Sequence, residues 1–213
     1  MSIAIYKALV AGGSGMVGQI LVEKLLNNSN YSEVNILVRE KQNLSHPKLI
    51  QTIIDFENAD LSSFQSDHVF CCLGTTIAKA GSKEAFSKVD KEYPLILGKA
   101  MIHSGSTLFA IVTAGGANIN SSIFYNRVKG EVEEVLKQLG YQSLGIFRPS
   151  MLLGHRNEKR SIEKLGQRLM LIFDFLIPKR YKAIQAEKVA HAMVQFAIDS
   201  KEGVSIFESD QMQ

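Results

Sequence analysis

Three glycines spaced three residues apart form the most informative segment of the chain. Gly12, Gly15 and Gly18 follow a short apolar run and precede the segment QILVEKLL, which has a helical period. Glycine permits a tight turn and a close approach of backbone amides to a pyrophosphate, and the start of a helix favours negative charge. The loop predicts a dinucleotide site, and the alternative is a purely structural turn. The expected contacts are Gly12, Ser14, Gly15, Met16, Val17 and Gly18.

Charged residues follow the apolar run NILV about 20 residues beyond this loop, in the order Arg39, Glu40, Lys41. An acidic residue at such a strand end binds a ribose 2′-hydroxyl, whereas an arginine accommodates a 2′-phosphate. We therefore predict a preference for NADP(H), and Glu40 keeps NAD(H) open. In the alternative interpretation Arg39 and Lys41 are solvated loop charges.

Tyr125 and Lys129 are four residues apart, a spacing that chance alone often produces. Their position strengthens the pattern, because they follow an apolar run ending at Thr113 and a loop in which Ser121 and Ser122 are candidate helix caps. On a helix the lysine ammonium lies near the phenol and favours its phenolate form. We predict that Tyr125 is an acid–base group and that Thr113 hydrogen-bonds the substrate oxygen. The alternative is an exposed pair on an amphipathic helix.

Several motifs together resemble a known family. They are the glycine loop, Cys-Cys-Leu-Gly-Thr-Thr (71–76), Val-Asp-Lys-Glu-Tyr (89–93), Tyr-x-x-x-Lys with Gly-Glu-Val-Glu (130–133), and Phe-Arg-Pro-Ser (147–150). In this order, over nearly the whole chain, they resemble the atypical short-chain dehydrogenases/reductases, and most closely the Tat-interactive-protein-like NAD(P)H-binding oxidoreductases.

The resemblance assigns roles to individual residues. It implies that the glycines hold the pyrophosphate, that Arg39 holds the 2′-phosphate, and that Tyr125 and Lys129 are the catalytic pair. The other implied cofactor contacts are Asp55 and Phe56 at the adenine region, Leu73 and Gly74 along the cofactor, Lys129 at the ribose, and Pro149 and Ser150 near the nicotinamide. Similar proteins often carry two serines where this chain has Thr113 and Ala114. Ala114 has no hydroxyl with which to polarise a substrate, so this departure bears on the activity more than on the cofactor.

The elements that would position these residues alternate between short β-branched runs and longer segments of helical period. This alternation predicts an α/β fold with a doubly wound, Rossmann-like parallel sheet, in a single domain over residues 1–213. Predicted strands are 4–10, 34–38, 50–54, 67–73, 106–113 and 143–148, and the pattern permits another at 204–208. Predicted helices are 15–28, 82–103 with a kink or break at Pro94, 121–140, 161–176 and 185–200, with a short one near 60–64.

The region from about residue 150 is expected to form a small substrate pocket. The apolar stripe of 161–176 would be its wall or lid, or alternatively ordinary core. The pocket would take a small apolar molecule.

Composition excludes several classes of function. The 213 residues are 46% hydrophobic and carry a net charge of +3 from interspersed charges, which favours one globular domain and no nucleic-acid partner. No apolar run reaches the length of a membrane span, and the start MSIAIYKALV does not resemble a signal peptide. Cys71 and Cys72 are adjacent and fit a reducing cytoplasm, and a redox role for them is the weaker alternative to strand packing. The scattered histidines predict no metal site.

These observations predict an NADPH-dependent oxidoreductase that reduces a carbonyl or related group on a small molecule, with Tyr125 as proton donor. The alternative is an NADPH-binding redox sensor that acts through a protein partner without turnover. A homo-oligomer is also left open.

Overall fold

The computed structural model describes residues 5–153, 182–199 and 201–213. The strands, numbered in chain order, are β1 (Tyr6–Ala11), β2 (Tyr31–Val38), β3 (Leu49–Ile53), β4 (His68–Cys71), β5 (Leu108–Val112), β6 (Ser143–Arg148), β7 (Leu152–Leu153), β8 (Ile184–Gln185) and β9 (Gly203–Glu208). Within these ranges one seven-stranded parallel sheet has the order β3-β2-β1-β4-β5-β6-β9, and β7 pairs with β8 separately. The strand order reverses between β1 and β4, which confirms the predicted doubly wound, Rossmann-like fold.

The helices are α1 (Met16–Leu26), α2 (Ile77–Ala80), α3 (Lys83–Ser87), α4 (Tyr93–His103), α5 (Phe124–Lys137) and α6 (Ala186–Asp199). A π-helical turn, Lys88–Glu92, joins α3 to α4, and a 3₁₀ turn, Ser209–Met212, follows β9. The predicted break near Pro94 is confirmed as this π-helical turn. Pro94 itself lies in the first turn of α4, where its missing N–H is tolerated.

Two apolar layers cover the sheet because its central strands are buried on both faces. One layer joins α1 and α6 to strand residues such as Val10 and Phe70. The other joins α4 and α5 to Leu9 and Ile111. Fully buried parallel strands are nearly continuous apolar runs, which is the pattern that the sequence carries.

The carboxyl ends of β1 to β6 meet at one edge of the sheet, because these strands are parallel. The loops after β1, β2, β3, β4, β5 and β6 therefore start at this edge. They contain the glycine loop, Arg39, Asp55, Gly74, Thr113 and Pro149 in turn. The fold thus gathers most of the predicted site residues at the edge where doubly wound sheets bind ligands.

Two local predictions are wrong. The segment 60–64 forms an isolated turn in which the Asp60 carboxylate accepts the Ser62 N–H, and no helix follows. Helix α5 begins at Phe124 rather than 121, and its N-cap residue is Ile123, whose side chain does not cap the helix. The predicted helix 161–176, with its apolar stripe, lies outside the described residues.

Candidate functional site

The glycine loop folds tightly against two other backbone segments. Gly12 has φ +82°, and a Cβ built there would lie 2.5 Å from the Cys72 carbonyl carbon, just beyond β4. On α1, a Cβ at Gly18 would lie 2.1 Å from the Gly12 carbonyl oxygen. Real Cβ atoms do not come this close to backbone, so both positions require glycine, as the predicted pyrophosphate loop does.

The N-terminus of α1 is open to an anion. Its N-cap residue, Gly15, has no side chain to cap the helix, and the first turn contains no acidic residue. The first backbone N–H groups of a helix lack internal partners and carry partial positive charge. Ser14 is exposed and Met16 is half-buried, whereas the Val17 side chain lies in the core. The group that Val17 can offer a ligand is therefore its backbone amide.

Arg39 is exposed beside this loop. It lies two residues beyond Leu37, which pairs with Ala11 at the end of β1. Within the described ranges its guanidinium makes no hydrogen bond or ion pair. The following loop is anchored by Gln51, whose amide group accepts the Gln42 N–H at 2.8 Å and donates to the Leu44 carbonyl at 2.9 Å. A free guanidinium on an anchored loop is suited to binding a phosphate.

The loop after β3 carries the predicted adenine-side residues. The exposed Asp55 carboxylate accepts hydrogen bonds from the Asn58 side chain at 2.8 Å and the Glu57 N–H at 3.1 Å, and they hold the pKa of Asp55 below its usual range. Phe56 stacks on Tyr93 of α4, with ring centroids 5.1 Å apart. The loop is therefore held against the start of α4.

Lys129 is buried at the centre of the site and is paired with a residue to which the sequence analysis gave no role. Its Nζ lies 2.7 Å from Oδ1 of Asp90 in the π-helical turn, and neither side chain is more than 5% exposed. The other carboxylate oxygen of Asp90 accepts the Thr75 N–H at 2.9 Å. A Cβ at Gly74 would lie 3.8 Å from the Lys129 Nζ, so the predicted cofactor-lining loop from half-buried Leu73 passes directly over the ion pair.

Tyr125 is half-buried one turn before Lys129 on α5, and its ring lies 5.4 Å from that of Phe86. In the described part of the chain its hydroxyl has no hydrogen-bond partner. The phenol and ammonium are close enough for Tyr125 to be one of the groups that raise the pKa of Lys129. A phenol with an uncommitted proton near a fixed cation can act in acid–base chemistry.

The predicted role of Thr113 in orienting the substrate oxygen stays a prediction, and the structure gives its hydroxyl a partner within the protein. Thr113 is 5% exposed, and its hydroxyl donates a hydrogen bond to the Glu133 carboxylate at 2.6 Å. A hydroxyl has one proton to donate, so this contact leaves none for a substrate. The neighbouring Ala114 is also buried.

The partner of Thr113 belongs to an ionic network that the sequence analysis missed. Buried Glu133 also accepts a hydrogen bond from the Arg148 Nε at 3.0 Å, and Arg148 in turn contacts Glu208 of β9 at 3.2 Å. Glu133 belongs to the motif Gly-Glu-Val-Glu (130–133), and Arg148 belongs to Phe-Arg-Pro-Ser (147–150). The sequence does carry a signal for Glu133. Tyr125, Lys129 and Glu133 recur every four residues and therefore share one face of the helix.

Pro149 and Ser150 follow β6 next to the loop after β5, and the Gly115 N–H donates to the Pro149 carbonyl at 2.8 Å. The Ser150 hydroxyl donates to the Lys182 carbonyl, and the Ser209 hydroxyl accepts the Ser150 N–H at 2.8 Å. Ser150 therefore fastens the end of β6 to the 3₁₀ turn.

Cys71 is buried and Cys72 is half-buried at the end of β4. Burial raises the pKa of the Cys71 thiol to about 12 and raises that of Cys72 as well. A thiol is nucleophilic as its thiolate, so this environment favours the packing interpretation. No group of three metal-binding side chains occurs within the described ranges, and no helix there is long and apolar enough to cross a membrane.

A glycine loop at an open helix N-terminus, at the switch point of a doubly wound sheet, defines a Rossmann-type dinucleotide-binding domain. A family model described as "Male sterility protein" matches residues 10–76, which contain this loop. Rat Protein HTATIP2 is 35% identical over 165 residues, which are 75% of this chain and 68% of that protein. "Protein FMP52, mitochondrial" of Eremothecium gossypii is 29% identical over 212 residues, which are 95% and 93% of the two chains.

A solved structure, Bordetella bronchiseptica WbmF in complex with NAD⁺, has a TM-score of 0.68 at 19% identity and covers 100% of this chain and 77% of that one. The structural likeness supports the fold, and the sequence likeness to HTATIP2 establishes the family. The chain belongs to the Tat-interactive-protein-like family of atypical short-chain dehydrogenases/reductases, of the NAD(P)-dependent oxidoreductase type.

Proposed function

We propose that this protein binds NADPH and reduces a carbonyl or related unsaturated group on a small apolar molecule, with Tyr125 as proton donor. The observation that carries the proposal is the pairing on α5 of a buried ammonium with a phenol whose hydroxyl has no partner among the described residues. The ammonium lies beside the loop after β4, at the sheet edge that holds the glycine loop, and the phenol lies one turn earlier on α5.

The residues at this edge fit a dinucleotide. Gly12 and Gly18 leave no room for a Cβ, and the open start of α1 suits a pyrophosphate. The NAD⁺ complex of the structurally similar WbmF supports a nicotinamide cofactor here. Bound at this edge, such a cofactor supplies the hydride for reduction.

The chain itself would supply the proton and the electrostatics. Tyr125 donates its phenolic proton to the substrate oxygen, and the Lys129 ammonium stabilises the phenolate that remains. Of the three predicted catalytic side chains, Thr113 has committed its proton to Glu133. The hydrogen bond that polarises the substrate oxygen therefore comes from Tyr125.

Arg39 sets the proposed preference for NADPH. Because hydrogen bonds to charged groups contribute about 1.5–3 kcal/mol, NADPH should bind about 10- to 100-fold more tightly than NADH. Replacing Arg39 with alanine should remove most of this difference, as measured by fluorescence titration with both nucleotides. Lys41→Ala, which removes a charge two residues further along the same loop, is the matched control and should keep the preference. Equal affinities in the parent protein would refute the role of Arg39.

A sensor without turnover is the second candidate, and the site gives it one specific argument. Ala114 lacks a hydroxyl and Thr113 is committed, so the site has fewer groups for polarising a substrate than similar proteins have. A panel of small aldehydes, ketones and quinones separates the candidates. The enzyme oxidises NADPH with a member of the panel, whereas a sensor binds NADPH tightly and oxidises it with none.

Two further features belong to this proposal. One is a small substrate pocket formed by the region from about residue 150, of which residues 154–181 lie outside the described part of the chain. The other is a cytoplasmic location, which rests on the sequence. The fungal relative FMP52, by contrast, carries "mitochondrial" in its name. A protein partner or a second copy of the chain is left open.

A further inference from the structure

Asp90 lies in the interior of the protein, and neither the proposed chemistry nor the composition explains why a carboxylate is buried there. It occupies the middle of the π-helical turn Lys88–Glu92, between α3 and α4. A π-helical turn is rare and frequently marks a functional site. Its side chain is fully buried, and a buried carboxylate is costly unless it is paired.

We propose that Asp90 is a positioning residue that keeps the Lys129 ammonium charged and fixed beneath the cofactor-lining loop after β4. This inference rests on the proposed function only where it assigns Lys129 to the cofactor. Asp90 itself does not reach the surface, so it acts through Lys129 and through the loop.

The contacts of the two carboxylate oxygens carry the inference. Oδ1 lies 2.7 Å from the Lys129 Nζ, and within the described residues it has no donor in hydrogen-bond geometry. Oδ2 accepts the Thr75 N–H at 2.9 Å. A Cβ at Gly74 would lie 3.5 Å from Oδ1. One carboxylate thus joins the loop after β4 to the ammonium on α5.

The charge state of Lys129 depends on this carboxylate. The groups that act on the ammonium are Asp90 from the π-helical turn, Tyr125 from α5 and Cys71 from β4. Burial alone would lower the pKa of Lys129, but these groups, chiefly Asp90, outweigh it and raise the pKa above its ordinary value. Burial raises the pKa of Asp90 itself, and the Lys129 ammonium and the Thr75 N–H oppose that rise, so the two buried groups depend on each other. Without Asp90 a buried ammonium would lose its proton much more easily.

A neighbouring ion pair provides a matched control. Lys91 and Glu131 join the same π-helical turn to α5, with 2.8 Å between Nζ and the carboxylate, but both side chains are about one-third exposed. If the role of such a pair were only to hold the π-helical turn against α5, either of the two pairs could fill it. The positioning role belongs to the buried pair alone.

The test compares Asp90→Asn with Glu131→Gln in the full chain. In the parent protein and in Glu131→Gln, Lys129 stays charged, so NADPH affinity should be nearly flat from pH 7 to 9. In Asp90→Asn no carboxylate offsets the burial of Lys129, so the pKa of the ammonium should fall. NADPH should then bind more weakly as the pH rises, by about 10-fold for each unit of pH above that pKa. The double variant Asp90→Asn/Lys129→Met should lose this pH dependence.

Urea unfolding gives a second measurement without NADPH. Lys129 in the unfolded chain titrates near about 10, and in folded Asp90→Asn it titrates lower. Between these values the unfolded state binds more protons, so the stability of the variant should rise with pH and approach that of the parent. If Asp90→Asn does not fold, the double variant with Lys129→Met should restore folding.

The outcomes separate the two proposals. Parallel pH dependences of stability in Asp90→Asn and the parent, or an unfolded double variant, would overturn the role of Asp90. A flat NADPH affinity in Asp90→Asn, with the predicted change in stability present, would refute the assignment of Lys129 to the cofactor. Absence of NADPH binding in the parent, with the predicted change in stability present, would refute the proposed function and leave only the charge-holding part of the Asp90 role.

Discussion

Replacing Tyr125 with phenylalanine should lower the rate of NADPH oxidation with a reactive carbonyl by about 10²–10⁴-fold, the usual contribution of a general acid. The change removes the phenolic hydroxyl and leaves the glycine loop, Arg39 and the Lys129–Asp90 pair in place. NADPH affinity should therefore change little. Steady-state kinetics with the substrate found in the panel, together with a fluorescence titration of NADPH, measures both quantities.

Two other variants make this result specific. Tyr93→Phe removes a hydroxyl that donates to Glu57 at the adenine side, and it should leave the rate nearly unchanged. Lys129→Ala should weaken both turnover and NADPH binding, because its ammonium serves the ribose as well as the phenol. Parent-level activity in Tyr125→Phe would mean that another group donates the proton.

The second large effect concerns stability. Replacing Glu133 with alanine leaves the Arg148 guanidinium without its main partner in a largely buried position and frees the Thr113 hydroxyl. Removing one member of a buried ion pair typically costs about 3–5 kcal/mol, so the free energy of unfolding should fall by about 3 kcal/mol. Urea unfolding measures this change.

Glu208 supplies the control for this network. It contacts the same Arg148 but is about one-third exposed, so Glu208→Ala should cost less than about 1 kcal/mol. The double variant Glu133→Ala/Arg148→Met should recover part of the loss, because it also removes the unpaired cation. A loss below about 1 kcal/mol in Glu133→Ala would show that the pair does not hold β6 to α5.

The fold could be predicted because its signals are local. The β-branched runs and the helical periods alternate along the chain, and six predicted strands overlap β1 to β6. Boundaries were less accurate. Strand β2 begins at Tyr31, three residues before the predicted start, because this side chain is buried against His68 and Phe70, far along the chain. The helix start at Phe124 depended in the same way on the packing of the preceding loop against Gly130.

The candidate site was predictable where its motif is contiguous. The glycine spacing predicts the close approach of Gly18 to the Gly12 carbonyl, whereas the contact of Gly12 with Cys72 forms only in the folded sheet. The buried charges were not predictable in this way, because Asp90 and Lys129 are 39 positions apart by their numbering and meet only in the folded sheet. The partner of Thr113 could not be predicted for the same reason. Its hydroxyl is taken by Glu133, 20 residues further along the chain.

A crystal structure after soaking with NADPH tests the central claim most directly. The account predicts the pyrophosphate at Gly12–Gly18 against the start of α1, the 2′-phosphate at Arg39, and the nicotinamide on the side of Tyr125 and Lys129. Electron density for NADPH at another surface, or none at concentrations that saturate related reductases, would contradict it.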